Sequence, residues 1–248
     1  RIRYVWKRFA ELDARYDFDL YHHHSPFDVP LVFGAGGLIL RKKPVMFTMY
    51  GGIDSLKELS RSGWKYLLIK QIARIIFSRS HCTGNCQAAE IIYQGQPFHN
   101  IGMAVDLETL KATIGERSDL REQFGVANRC VVIYPSRIAE DKGQIDAIRA
   151  VELLRERIPN IALFLIGPCK PDEEGYLATL KQYIQSRGLQ DSVKILGFVS
   201  SPDLMKWYRT ADILLFTSFH EGLPFVILEA ASMELPIIAS SVGGIPEI

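Results

Sequence analysis

From residue 130 onward, short continuous apolar runs alternate with longer stretches in which apolar residues recur three and four positions apart. The runs at 130–134, 161–166, 193–196, 213–216 and 236–239 are too short for helices and rich in β-branched or aromatic residues, which predicts buried parallel strands. The stretches between them, 143–157, 175–187, 202–209 and 224–233, predict helices. Uninterrupted strand–helix alternation is the pattern of a parallel sheet wound with helices on both faces, so the fold class is α/β.

Before residue 130 the pattern is less regular. Residues 1–13 predict a helix with Val5, Phe9 and Leu12 on one face, and 18–21 a strand running into His22, His23 and His24. Residues 29–40 predict a buried helix whose Gly34, Gly36 and Gly37 suit close packing, since no strand precedes them as phosphate binding would require. A short strand is expected at 45–48, ending in the loop Tyr50-Gly51-Gly52. A helix at 64–79 is apolar at Leu67, Leu68, Ile72, Ile75 and Ile76 and basic at Lys65, Lys70, Arg74 and Arg79. Such a helix covers a sheet with its charges in water; the second reading is contact with an anionic membrane surface. Residues 108–126 are polar apart from one amphipathic turn at 120–124 and read as a linker, giving domains at 1–112 and 113–248.

Composition adds bounds. A chain of 248 residues with 48% hydrophobic content is long enough for two cores. Its net charge of +1 argues against nucleic acid as a partner. Residues 1–112 carry 15 basic against 10 acidic side chains and residues 113–248 carry 14 against 18, a split that suits domains with different partners. The four cysteines show no metal-site spacing beyond one Cys-x3-Cys, so reduced thiols of a cytoplasmic protein are expected. The longest apolar stretch, 29–40, has 12 residues, short of the roughly 18 needed to span a bilayer. On a strand only His22 and His24 share a face, and no acid or cysteine completes a ligand set there, so no metal is expected.

The chemistry concentrates at 220–230. The run at 213–216 leads into a turn carrying Glu221, and Glu229 follows in the predicted helix. Gly222 is expected to take a backbone angle closed to other residues, and Pro224 the first helical position, where its missing N–H costs nothing. The N–H groups of Phe225 and Val226 then face outward at the C-terminal edge of the sheet, where an anion is favoured. The first strand of this half ends at Pro135-Ser136-Arg137, and Lys142-Gly143 opens the next helix. Both cations are therefore expected at that same edge, a planar fork beside a movable point charge, suited to successive phosphates.

Taken together, Ile133-Tyr-Pro-Ser-Arg137-x4-Lys142-Gly143, the Gly197-Phe198-Val199 turn, Glu221-Gly-Leu-Pro-x4-Glu229-Ala and Gly243-Gly-Ile-Pro-Glu247 resemble the retaining glycosyltransferases of family 4 in order and spacing. The resemblance is specific from about residue 130 and looser before it. It implies the GT-B fold, two Rossmann-like domains facing across a cleft, both incomplete here, with the start of the first and the end of the second missing. It implies transfer of a hexose from a nucleoside-diphosphate sugar to a glycan, a lipid-linked sugar or a small molecule, without a metal or other cofactor. Arg137 and Lys142 would hold the diphosphate, Glu229 the ribose and Glu221 the transferred sugar. Phe198 and Val199 would meet the base, and Gly222, Leu223, Phe225 and Val226 would complete the donor site. Arg137, Lys142 and Glu221 are the expected catalytic set, with His24, Tyr50 and Gly51 on the acceptor side. Tyr50 stands where the family usually has a histidine, and Ser136 where glycine is more usual. The implied location is cytoplasmic, with peripheral contact at the inner membrane face suggested by the basic helix and Arg41-Lys42-Lys43. Two other readings compete: a glycoside hydrolase using Glu221 and Glu229 as paired carboxylates, and a nucleotide-sugar-binding module without turnover.

Overall fold

The computed structural model describes residues 2–24, 44–49, 71, 74–87, 90, 96–106 and 117–248. The chain divides into two compact units, Arg1–Met103 with Glu221–Leu223 and Glu247, and Ala104–His220 with Pro224–Pro246 and Ile248.

The first unit opens with helix α1, Ile2–Tyr16, which ends three residues beyond the point that its apolar periodicity predicts. Strands β1 (Tyr21–His24), β2 (Val45–Met49), β3 (His81–Gly84) and β4 (Phe98–Asn100) form a parallel sheet in the order β1-β2-β3-β4. The first strand lies later than expected: it consists of Tyr21 and the three histidines, not of 18–21. Its register explains the shift, because Tyr21 pairs with Val45 and His23 with the fully buried Phe47, while Phe18 and Leu20 stay exposed. His23 points into the core and stacks on Phe47 at 5.1 Å, whereas His22 and His24 share the outer face with rings 4.0 Å apart. From the basic helix expected at 64–79, residues 71 and 74–79 are described: 71 and 74–77 are helical and 78–79 form a turn, so the helix ends two residues early. Ile76 and Phe77 are buried but Ile75 is 58% exposed, so it does not belong to the packed face. The helix expected at 29–40, Arg41-Lys42-Lys43, Tyr50 and Gly51 lie outside the described residues.

The second unit is built as the alternation predicts. Its elements are α2 (Arg117–Gln123), β5 (Cys130–Pro135), α3 (Gln144–Leu154), β6 (Ile161–Ile166), α4 (Glu174–Ser186), β7 (Val193–Gly197), α5 (Ser201–Thr210), β8 (Ile213–Phe216), α6 (Phe225–Ser232) and β9 (Ile237–Ala239). The strands are all parallel in the order β7-β6-β5-β8-β9. Every residue of β6 is buried, as continuous apolar runs require when helices cover both faces. Edge strand β7 instead alternates, with Lys194 and Leu196 exposed.

The expected linker at 108–126 is corrected in its second half. Helix α2 packs on the second unit: Leu120 and Val126 are buried, and Phe124 stacks face to face on Trp207 with centroids 4.4 Å apart. Arg121 donates to the carbonyls of Thr210 and Arg129 and pairs with Asp212, whose Oδ2 accepts from the Val131 amide at 2.7 Å. The polar residues that made the segment look like a linker are the ones that tie it down.

Candidate active site

The strand order of the second unit reverses between β5 and β8, and open α/β sheets hold ligands in the crevice at such a switch point, beyond the carboxyl ends of the strands. The loop after β5 carries Arg137 and Lys142; the loop after β8 carries Glu221 and leads into α6. These are the two loops that flank the crevice.

The loops are fastened to each other. The Thr217 hydroxyl donates to the Gly143 carbonyl at 2.8 Å and the Phe219 amide to the Asp141 carbonyl at 3.0 Å, while the Tyr134 hydroxyl of β5 holds its own loop by donating to the Lys142 carbonyl. Gly143 sits between them at φ +65°, and a Cβ there would lie 2.3 Å from the Thr217 carbonyl oxygen. The left-handed glycine where these two loops meet is thus Gly143. Gly222, expected to fill that part, is not among the residues at positive φ, because the chain reaches α6 through ordinary angles.

Arg137 is held from behind. Gln144, fully buried at the start of α3, donates through Nε2 to the Arg137 carbonyl at 2.8 Å and to Ser136 Oγ at 2.9 Å. Ser136 thereby gains a buried partner. Gly167 presses against the same backbone: a Cβ on it would meet the Ser136 carbonyl oxygen at 2.0 Å. The amides of Ser136 and Ile138 bond to the carbonyls of Ile166 and Pro168, so β5 and β6 remain zipped past their ends. The guanidinium itself faces carboxylates, with Nη2 3.0 Å from Asp141 Oδ1 and Nη1 3.6 Å from Glu173 Oε1. Lys142 Nζ donates to the His220 carbonyl at 3.2 Å and lies 3.6 Å from Asp141 Oδ2. The two cations therefore share one carboxylate, Asp141, which the sequence reading missed although its spacing of four from Arg137 was visible.

Helix α6 begins at Phe225, with Pro224 as its N-cap in extended conformation. Pro224 is therefore one position earlier than expected, and Phe225 and Val226 occupy the first two helical positions, whose amides lack intrahelical acceptors. Phe225 is 53% exposed and Val226 half-buried. Glu229 lies more than a turn into the helix, half-buried, and accepts a hydrogen bond from the Tyr208 hydroxyl at 2.8 Å. Glu221, Gly222 and Leu223 are half-buried in the loop before the helix.

Phe198 and Val199 follow β7, two strands from β5 or roughly 10 Å at ordinary strand spacing. Gly197 turns the chain at φ +72°, Phe198 stands 76% exposed, and Val199 packs on the core. In the first unit, His24 is exposed at the end of β1, and His22 Nε2 lies 2.6 Å from Thr48 Oγ1, which in turn meets Thr83 Oγ1 at 2.6 Å. Burial and the neighbouring His24 lower the pKa of His22; burial, His22 and His24 lower that of His23. Among the described residues no group of three His, Cys, Asp or Glu side chains could hold a metal.

The sequence model of the family described as glycosyl transferases group 1 matches residues 116–248. The D-inositol 3-phosphate glycosyltransferase of Arthrobacter sp. (strain FB24) is 30% identical over 92% of this chain and 55% of its own length. A GDP-mannose-dependent alpha-(1-6)-phosphatidylinositol monomannoside mannosyltransferase of Mycolicibacterium smegmatis is 31% identical over 58% of this chain and 38% of its own. Among solved structures, Anabaena Alr3699/HepE in complex with UDP superimposes with a TM-score of 0.80 at 25% identity, over 96% of this chain and 64% of that one. The same protein in complex with UDP-glucose gives 0.73 at 26% identity over the same shares. The chain spans about half the length of the curated relatives that it matches along most of its own length.

Proposed function

The chain belongs to the glycosyl transferases group 1 family, and on that premise we propose that it takes part in moving a hexose from a nucleoside-diphosphate sugar to an acceptor with retention at the anomeric carbon. The observation that carries this reading is the pairing of the two loops at the switch point, where the loop bearing Arg137 and Lys142 is hydrogen-bonded to the segment 217–220 that leads toward α6. Hydrolysis of a simple glycoside leaves no diphosphate to hold, so this cation pair has no role in the competing hydrolase reading.

In the proposed reaction the bond from the anomeric carbon to the diphosphate oxygen breaks and a bond to the acceptor oxygen forms on the same face. The acceptor's proton passes to the departing diphosphate. Negative charge grows on the leaving oxygen, and Arg137, Lys142 and the amides of Phe225 and Val226 are the groups that would meet it. Removing one such donor costs about 3–4 kcal/mol of transition-state stabilisation. Glu229 would accept from the ribose hydroxyls and Glu221 from the hydroxyls of the moving sugar. Phe198 and Val199 would border the base, and Gly222 and Leu223 would shape the turn beside the sugar. His24, Tyr50 and Gly51 would lie on the acceptor side. We take the domains to divide near 112, the acceptor to be a glycan, lipid-linked sugar or small molecule, and the reaction to run in the cytoplasm.

UDP- and GDP-hexoses are the first donors to try, since UDP-glucose is bound by the Anabaena protein and GDP-mannose is used by the mycobacterial one. Incubation of the full chain with each donor and a panel of glycan and small-molecule acceptors, followed by proton NMR of the sugar product, tests the proposal. Product with the donor's anomeric configuration supports it; inverted product, or release of free sugar from simple glycosides with no use of nucleotide sugars, refutes it.

A further inference from the structure

Tyr208 and Glu229 stand 21 residues apart on different helices, and no spacing in the sequence announces their contact. The ring of Tyr208 is 1% exposed and belongs to the core of the second unit; its hydroxyl emerges only far enough to donate to Glu229 Oε2 at 2.8 Å. Burial, then the charge of Glu229 and its hydrogen bond, push the phenol well above its usual range. The hydroxyl therefore stays protonated and acts as a fixed donor at any working pH.

A free glutamate on a helix surface samples several rotamers and loses that freedom when it binds. Here one oxygen is already anchored by a side chain packed in the core. A carboxylate can accept about four hydrogen bonds, and among the described residues no side chain other than Tyr208 bonds to that of Glu229. Oε1 is left to receive a pair of donors, and vicinal hydroxyls present such a pair.

We propose that Tyr208 is a positioning residue: by anchoring Oε2 it presents Oε1 of Glu229 to the 2′- and 3′-hydroxyls of a nucleotide, and so sets the preference for ribonucleoside over deoxyribonucleoside diphosphates. The inference rests on the nucleotide-binding reading above, and goes beyond it by naming what orients the carboxylate. A buttress between α5 and α6 with no part in recognition would look the same in a static structure, but would affect all nucleotides alike.

The test is calorimetric titration of the full chain and of Tyr208→Phe with UDP, GDP and ADP and with their 2′,3′-dideoxy counterparts. Tyr208→Phe removes one oxygen and keeps the ring. It is expected to weaken the preferred ribonucleotide about tenfold, the order of a hydrogen bond to a charged group, and to leave the dideoxy form unchanged. In a Glu229→Ala background the same change should add nothing. Glu229→Asp, too short to reach Tyr208 and the ribose together, should lose the same discrimination without touching the core. Equal loss for both nucleotide forms, no loss, additive losses in the double variant, or full discrimination by Glu229→Asp would each overturn the inference. If the unaltered chain binds and discriminates while Tyr208→Phe does so equally well, only this inference falls. If the unaltered chain binds none of the nucleotides, the donor-site reading falls and this inference with it.

Discussion

A Cβ on Gly143 would lie 2.3 Å from the carbonyl oxygen of Thr217, with φ at +65°. No side chain fits at that approach, and the loop bearing Arg137 and Lys142 is fastened to the loop bearing Glu221 at this point. Gly143→Ala meets both the backbone strain and the clash, so it should cost about 2 kcal/mol or more of stability. Chemical denaturation measures this, and a change below about 0.5 kcal/mol would show that the loops part easily.

Gly167 makes the corresponding approach to the Ser136 carbonyl, at 2.0 Å and φ +150°. Gly167→Ala should therefore displace Arg137 without altering any group that touches ligand. Nucleotide affinity is expected to fall about tenfold or more, and an unchanged affinity would mean that the position of Arg137 does not depend on this packing.

The side chain of Lys142 is 14% exposed and reaches the His220 carbonyl at 3.2 Å. Lys142→Met keeps the stem and removes the charge. Turnover should drop by about a hundredfold to a thousandfold, while the melting temperature moves by only a few degrees. A turnover within threefold of the original would remove Lys142 from the proposed chemistry.

His22 and His23 have pKa values lowered by burial first and then by neighbouring charge, that of His24 on His22 and those of His22 and His24 on His23. A folded-state pKa below the unfolded one means that the unfolded chain binds more protons in the window between them, so stability rises with pH there. The contribution is complete above about 6.5 and is lost as pH falls from there toward the lowered values. Thermal unfolding followed between pH 7.5 and about 5 should show the loss, and His23→Phe should flatten the profile at its acid end. A stability that increases on acidification over this range would contradict the assignment.

Burial pushes the Cys82 thiol up to about 12. It should resist alkylation at neutral pH while the protein is folded and react once it is unfolded. Mass spectrometry of the iodoacetamide-treated protein reads this directly; rapid modification of Cys82 in the folded state would place it at a surface.

Much of the second unit was legible in the sequence because its signals are local. The strands at 161–166 and 213–216 match β6 and β8 residue for residue, since a continuous apolar run bounded by polar residues admits few other readings. What was missed involves pairings between distant segments. The reversal of strand order between β5 and β8, the bond from Tyr208 to Glu229, and the close approach of Gly143 to Thr217 leave no trace in spacing. Asp141 was visible but passed over, because a carboxylate between two cations reads in one dimension as ordinary surface charge. Helix α2 was misread as linker for a related reason: it carries one apolar side chain, Leu120, and Phe124 just past its end finds its partner in Trp207 of α5, far away in the sequence. In the first unit the strand running into the histidines was expected, but its start was placed at Phe18 and not at Tyr21, because where the pairing begins is set by its partner β2.

The central claim is that the edge bearing Arg137, Lys142 and Glu229 binds a nucleoside diphosphate. It is tested most directly by calorimetric titration of the full chain with UDP, GDP and ADP, repeated on Arg137→Ala and Glu229→Ala. The account predicts that one nucleotide binds, that Arg137→Ala weakens it at least about tenfold through lost phosphate contacts, and that Glu229→Ala weakens it through the ribose. Absence of binding by all three nucleotides, or binding indifferent to both substitutions, would contradict it.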